Sequence, residues 1–177
     1  MNIQNGLLTT AKICLSPHFN ERPANAVIDM IVIHNISLPP GKLGGGFIED
    51  FFCGNLDVCL DPYFETIKDL RVSSHIVIDR NGLITQFVPF HLRAWHAGQS
   101  SWLGRDNCND YSIGIELEGT DDLAYTDLQY QALKGLLKIL KQAYPGISTD
   151  RIVGHCDIAP GRKSDPGNSF DWNRLKK

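Results

Sequence analysis

The stretch Met30-Ile31-Val32-Ile33 is a continuous run of apolar, mostly β-branched residues, and it ends at His34. A run of this kind predicts a central strand that is buried on both faces of a sheet. The shorter run Arg151-Ile152-Val153 leads in the same way through Gly154 into His155. The sequence therefore predicts two buried strands that each end at a histidine.

Further strands are predicted on both sides of the middle of the chain. Residues 74–78 and 83–88 flank Asn81-Gly82, which predicts a β-hairpin closed by a tight turn with positive φ angles. Residues 112–118 alternate strictly, with Ile113, Ile115 and Leu117 on one face and small or acidic residues on the other. These segments supply the remaining strands of a sheet.

One long helix and several shorter ones are predicted. Thr126-x-x-Gln129 forms a capping box, apolar residues then recur at helical spacing, and Pro145-Gly146 ends the helix. Residues 47–70 are irregular with short helical pieces, and a last turn is predicted over 172–176. We expect an α+β fold, a single domain over 1–177 with its core at about 28–175, in which helices flank a mixed β-sheet.

Composition excludes several classes of protein. The 177 residues are 42% hydrophobic and 21% charged, with a formal net charge of -3 and no long run of one sign. This balance argues against a general nucleic-acid binder or a binder of anionic membranes. The first eleven residues lack a basic segment followed by an apolar one, and five cysteines without a Cys-x-x-Cys pair indicate reduced thiols. We therefore expect a cytoplasmic protein, and because no hydrophobic surface stripe is evident in the sequence, we expect a monomer.

Two histidines and an aspartate are candidates for a metal site. His34 and His155 end buried strands, and Asp165 follows ten positions after His155. Active sites gather where strands of such sheets end. Two imidazoles and one carboxylate would leave a fourth tetrahedral position for water, as in catalytic zinc sites. From the residues alone, ordinary core or surface histidines remain an open alternative.

Acidic and basic residues near these positions are candidates for catalysis. Glu116 lies on the face of its strand that carries Ser112 and Gly114, whose small side chains leave room for a ligand. Its carboxylate is a candidate general base, and Glu118 on the same face competes with it. Lys163, two positions before Asp165, is a candidate for stabilising an oxyanion.

Trp95 and Arg71 are candidate contacts for a sugar-peptide substrate. An indole offers a flat apolar face to a pyranose, and a guanidinium can bind a carboxylate through two hydrogen bonds. We expect the other three central histidines to lie outside the site. Of these, His75 is expected to satisfy a buried backbone group, and the remaining two are His91 and His96.

Long, ordered motifs resemble the AmpD family of 1,6-anhydro-N-acetylmuramyl-L-alanine amidases, zinc hydrolases of Gram-negative peptidoglycan recycling. The resemblance covers the chain from about residue 15 to its C-terminus. Its motifs are residues 33–41 (IHNISLPPG), 93–98 (RAWHAG), 108–110 (CND), 112–120 (SIGIELEGT), 154–160 (GHCDIAP), 163–167 (KSDPG) and 170–172 (FDW). One departure is Asn107, where the family often has a basic residue.

The resemblance implies a set of roles for the candidate residues. One Zn2+ ion would be bound by His34, His155 and Asp165. Glu116 would be the general base and Lys163 the oxyanion-stabilising residue. Substrate contacts would come from Asn35, Arg71 and Trp95.

The resemblance also implies an activity: hydrolysis of the amide between the muramic acid lactyl group and L-alanine of the stem peptide. Its substrate would be an anhydro-muropeptide, whose removal lowers the inducer of a chromosomal β-lactamase where that circuit exists. Two alternatives are an amidase that acts on intact cell-wall peptidoglycan and a non-catalytic peptidoglycan-binding module. Such a module typically lacks a metal ligand, whereas this chain has all three candidates.

Overall fold

The structure, a computed structural model, describes residues 1–175. Most of its strands are short, and two strands of seven residues, β5 and β11, cross the centre. In chain order the strands are β1 (Ile3–Gln4), β2 (Leu7–Leu8), β3 (Lys12–Ile13), β4 (Phe19–Asn20), β5 (Met30–Ile36), β6 (Ile76–Ile78), β7 (Ile84–Gln86), β8 (Arg93–Ala94), β9 (Ser101–Trp102), β10 (Arg105–Asp106), β11 (Ser112–Glu118) and β12 (Ile152–Gly154).

The helices include one long helix and several short ones. The α-helices are α1 (Phe47–Phe52), α2 (Pro62–Ile67), α3 (Asp127–Ala143) and α4 (His155–Ile158). Single turns of 3-10 helix cover Val58–Leu60, Cys108–Asp110, Thr149–Arg151 and Trp172–Leu175. The predicted final turn is thus confirmed as far as residue 175, and Lys176 lies outside the described residues.

The central sheet is mixed, with strand order β12-β5-β11-β6-β7-β3. Strands β12, β5, β11 and β6 run parallel, whereas β6 and β7 form an antiparallel hairpin. The predicted α+β fold with a mixed sheet is therefore confirmed. Because the carboxyl ends of parallel strands meet at one edge of the sheet, residues near the ends of β5, β11 and β12 lie close together.

Helix α3 covers one face of the sheet. The helix begins with the predicted capping box of Thr126 and Gln129, and its buried side chains include Leu133, Leu136 and Leu140. These side chains pack against the odd-numbered apolar residues of the central strands, which are Ile31, Ile33, Ile113, Ile115 and Leu117. The even-numbered residues of β5 and β11, among them His34 and Glu116, consequently lie on the opposite face.

The hairpin of β6 and β7 differs from its prediction in one respect. Ile78 pairs with Ile84, so five residues connect the strands instead of a two-residue Asn-Gly turn. The Asp79 carboxylate accepts hydrogen bonds from the backbone N–H groups of Asn81 and Leu83 at 2.8 Å, and only Gly82 of the loop has a positive φ. The aspartate side chain therefore takes the role that we assigned to a primed turn.

None of the helices within residues 1–175 combines the length and the apolar character that crossing a bilayer requires.

Candidate active site

The predicted metal ligands meet at the carboxyl edge of the parallel strands. His34 lies in the second half of β5, and His155 begins α4 directly after β12. Asp165 lies in the loop that follows α4, and its backbone carbonyl accepts a hydrogen bond from the Cys156 N–H at 2.9 Å. This bond holds the loop against the first turn of α4, which brings the carboxylate back toward the histidines.

Three ligand atoms form a nearly equilateral triangle. The Nδ1 atoms of His34 and His155 and the Oδ2 atom of Asp165 are each 3.0 Å from the other two. Tetrahedral zinc with bonds of 2.0–2.1 Å needs ligand atoms about 3.3 Å apart. The triangle therefore fits a zinc ion with three protein ligands.

The protonation of these groups also suits a cation. Burial lowers the pKa of His34 to about 4, although the neighbouring Asp165 carboxylate opposes the shift. Burial acts to raise the pKa of Asp165, but the adjacent imidazoles of His155 and His34 outweigh it and hold that pKa below its usual range. A neutral imidazole and an ionised carboxylate are the forms that bind metals.

Each candidate histidine ligand has a partner at its second ring nitrogen. His155 Nε2 lies 3.1 Å from the backbone carbonyl of Ala97, and His34 Nε2 lies 2.9 Å from His96 Nδ1. The expectation that His96 lies outside the site is wrong. No local pattern marks this residue, and its position in the loop before Ala97 becomes significant only when the loop folds over β5.

The space beside Gly114 also differs from its prediction. We expected the small residues of β11 to leave room for a ligand, but the His96 imidazole occupies the space over Gly114. A Cβ atom on Gly114 would lie 2.4 Å from Cγ of His96. The predicted role of His75 is confirmed, since its Nδ1 atom accepts a hydrogen bond from the Gly114 N–H at 3.0 Å.

The two candidate bases have different environments. Glu116 is buried, with 8% of its surface exposed, and among residues 1–175 its Oε2 atom has no hydrogen-bond partner. Burial raises the pKa of the Glu116 carboxyl well above its usual range, the charge of Asp165 adds to the shift, and that of Lys163 opposes it. A raised pKa suits a group that must take up and release a proton near neutral pH.

Glu118 is already engaged elsewhere. Its carboxylate accepts hydrogen bonds from the backbone N–H groups of Gly44 at 2.5 Å and Arg80 at 3.2 Å. The first bond attaches the glycine-rich loop at residues 44–46 to the end of β11, and the second attaches the loop between β6 and β7. Glu116 lines one cavity with the three candidate ligands, whereas Glu118 lines a different depression.

A cavity of about 370 Å³ opens over the ligand atoms. Lys163 is exposed at its rim, and Asn35 and Trp95 line its wall. The side-chain amide of Asn35 donates to Asp121 at 2.7 Å, and the indole N–H of Trp95 donates to Asn20 at 2.7 Å. Both side chains are thereby fixed in orientation at the cavity.

Arg71 lies apart from this cavity. Its guanidinium donates to the backbone carbonyl of Lys68 at 2.8 Å and lines a neighbouring groove with His18. The two depressions share Phe51 and Leu70 in their walls. The structure therefore brings Asn35, Trp95 and Lys163 to the metal-site cavity, whereas Arg71 adjoins it through a shared wall.

Two imidazoles and a carboxylate beside a buried glutamate, on a mixed sheet, are the arrangement of a metal-dependent hydrolase with an open coordination position. A profile of the N-acetylmuramoyl-L-alanine amidase family matches residues 24–168. The chain belongs to this family of hydrolases.

Individual relatives narrow the comparison. The 1,6-anhydro-N-acetylmuramyl-L-alanine amidase AmpD of Haemophilus influenzae is 54% identical over 173 residues, which cover 98% of this chain and 94% of the relative. A crystal structure of a selenomethionine derivative of AmpD superposes with a TM-score of 0.96 at 53% identity, covering 99% of this chain and 98% of that one. The resemblance to AmpD is therefore confirmed.

A more distant structure shows a relative with a ligand. It is the Escherichia coli N-acetylmuramyl-L-alanine amidase AmiD in complex with the substrate anhydro-N-acetylmuramic acid-L-Ala-D-gamma-Glu-L-Lys. Its TM-score is 0.62 at 32% identity, and the match covers 90% of this chain and 65% of AmiD.

Proposed function

We propose that the chain hydrolyses the amide between the lactyl group of 1,6-anhydro-N-acetylmuramic acid and the L-alanine of the stem peptide, in cytoplasmic peptidoglycan recycling. The observation that carries the proposal is the meeting of His34, His155 and Asp165 within 3.0 Å of one another on the sheet face that also carries Glu116. The 54% sequence identity with AmpD of Haemophilus influenzae, over nearly the whole of both chains, supports this substrate.

One zinc ion per chain fits the three ligand atoms. When bound, zinc supplies Lewis acidity, which polarises the scissile carbonyl and lowers the pKa of water. The protein residues would hold the ion: the pKa of His34 is lowered, which favours its neutral imidazole, and the Ala97 carbonyl accepts the Nε2 proton of His155, which leaves Nδ1 for the ion.

Glu116 moves the proton. Its Oε2 atom accepts a proton from the attacking water, and the water oxygen forms a bond with the lactyl carbonyl carbon. Glu116 then donates that proton to the L-alanine nitrogen as the carbon–nitrogen bond breaks, which gives a carboxylic acid and an amine. The acid then transfers the second proton of the water to the amine, so the final products are a carboxylate and an ammonium. The Lys163 ammonium at the rim stabilises the negative charge that develops on the carbonyl oxygen.

The experiment is product analysis with anhydromuramyl-tripeptide. We expect mass spectrometry to detect anhydromuramic acid and free tripeptide, a chelator to stop their release, and added zinc to restore it. Asp165→Ala should lose both zinc and activity, whereas Asp122→Ala, which changes an exposed aspartate, should keep both. Absence of product from the zinc-loaded wild-type chain would overturn the proposal.

The two alternatives predict different results when product analysis is extended to whole sacculi. An amidase of intact cell wall would release peptide from whole sacculi faster than from the soluble muropeptide. A binding module would retain the muropeptide after chelation and would release no product.

Localisation and assembly are proposed with the activity. The five cysteines, Cys14, Cys53, Cys59, Cys108 and Cys156, are free thiols, which fits a reducing compartment. Cell fractionation tests the cytoplasmic assignment. The monomeric state and the absence of nucleic-acid and membrane partners stay predictions from the sequence, and light scattering tests the first.

A further inference from the structure

A chain of hydrogen bonds runs from the ligand His34 into the protein. His34 Nε2 is 2.9 Å from His96 Nδ1, and His96 Nε2 is 3.2 Å from the Ser112 hydroxyl. The hydroxyl in turn lies 2.6 Å from the backbone carbonyl of Cys108. The chain therefore links one metal ligand to a fixed main-chain acceptor through two side chains.

The direction of every bond in this chain follows from its last member. The Cys108 carbonyl can only accept, so the Ser112 hydroxyl must donate to it. The hydroxyl oxygen is then free to accept the Nε2 proton of His96, which leaves His96 Nδ1 without a proton. That nitrogen accepts the Nε2 proton of His34, so the lone pair of His34 lies on Nδ1, the atom that faces His155 and Asp165.

His96 is held firmly enough to impose this order. Its ring packs over the backbone of β11, where a Cβ atom on Gly114 would lie 2.4 Å from the ring. Its backbone N–H donates to the Asn109 side-chain oxygen at 3.1 Å, and the N–H of Ala97 donates to the same oxygen at 2.8 Å. Because Ala97 is the partner of His155, two consecutive loop residues orient both histidine ligands.

We propose that His96 is a positioning residue that fixes the tautomer and the ring orientation of His34, with the Cys108 carbonyl as the fixed end of the chain. The proposal rests on the proposed zinc site, but it concerns a residue that does not bind the metal. Partners at the second nitrogen of a histidine ligand commonly change metal affinity by about 10- to 100-fold.

The test compares two substitutions of His96. In His96→Asn the side-chain oxygen takes the place of Nδ1 and still accepts from His34, whereas His96→Leu removes the acceptor. We expect His96→Leu to weaken zinc binding about 10- to 100-fold in competition with a chelator, and His96→Asn to recover most of that loss. His91→Asn changes an exposed histidine that takes no part in this series of hydrogen bonds, and it should bind zinc like the wild type.

A spectroscopic measurement separates positioning from general stability. In the metal-free wild type, nitrogen NMR should show His34 with its proton on Nε2, and in His96→Leu a mixture of both tautomers. Ser112→Ala keeps the His96 imidazole but removes the donor to the Cys108 carbonyl, so it should also yield a mixture of the two His34 tautomers. This variant replaces His96→Leu in the test if His96→Leu fails to fold. An unchanged tautomer in these variants, or wild-type zinc affinity in a folded His96→Leu, would overturn the proposal.

The proposed function and this inference can fail separately. If the wild-type chain bound no zinc, the proposed function would fail, whereas the tautomer of His34 in the metal-free protein would still decide the role of His96.

Discussion

Glu116 lies directly opposite His34 in the parallel pairing of β11 with β5, so both side chains extend from the same face of the sheet. Neighbouring strands are about 4.8 Å apart, and this spacing places a buried carboxyl beside a proposed metal ligand without any contribution from a loop. The pairing register therefore positions the proposed base against the proposed metal.

Replacing this carboxyl should separate catalysis from metal binding. Glu116→Gln keeps the shape but cannot accept a proton, so we expect kcat to fall by about 10² to 10⁴ with zinc content unchanged. The metal-free variant should resist urea better than the wild type at neutral pH, because a neutral amide costs less to bury than a carboxylate. Activity close to that of the wild type would exclude Glu116 as the base.

Lys163→Met tests the oxyanion role. Because the ammonium lies at the cavity rim and its charge lowers the pKa of Glu116, removing it should reduce kcat by about 10² to 10³. Zinc content and thermal stability should stay unchanged. Lys134→Met, at an exposed position of α3, is the matched control. A rise in KM with kcat unchanged would assign Lys163 to substrate binding instead.

Gly114→Ala should be destabilising through its contact with His96. The added methyl group overlaps the ring, and overpacking of this kind costs about 1–3 kcal/mol. His96→Ala should relieve the overlap, so the double variant should be more stable than the sum of the two single changes predicts. In contrast, Gly135→Ala in α3 has open space and should stabilise the protein by up to about 1 kcal/mol. The measurement is the free energy of unfolding in urea. If the effects of Gly114→Ala and His96→Ala on it were simply additive, the contact between the two residues would be contradicted.

His75 should make the protein sensitive to acid. Burial, with the charge of Arg22, lowers the pKa of His75 to about 3, although its hydrogen bond to the Leu92 carbonyl opposes the shift. The unfolded chain takes up a proton near pH 6.5 that the folded chain does not. The free energy of unfolding therefore falls as the pH drops from 6.5 toward 3, by about 2 kcal/mol at pH 5 from this group.

The measurement is urea unfolding of the metal-free protein at pH 7 and pH 5. His75→Asn keeps an acceptor for the Gly114 N–H but does not titrate, so its stability should fall by about 2 kcal/mol less than that of the wild type. Equal losses in the two proteins would show that His75 is protonated in the fold.

Local sequence patterns predicted most of the elements. The apolar run 30–33, the alternation over 112–118 and the capping box at Thr126 each reflect interactions between residues close in the chain, and each element appears where it was predicted. Histidines at strand ends made a metal site a candidate, because parallel strands bring their carboxyl ends to one edge whatever their separation in the sequence.

The sequence by itself thus determined the mixed sheet and its long helix, and it predicted the three candidate ligands that the fold brings together. Only the tertiary structure decided that Glu116 faces the ligands while Glu118 binds the backbone of Gly44, and that His96 fills the space over Gly114. The reason is physical: these outcomes depend on hydrogen bonds and packing between loops and strands that are far apart in the chain. No periodicity encodes such contacts, which exist only once the sheet has fixed the strands in register.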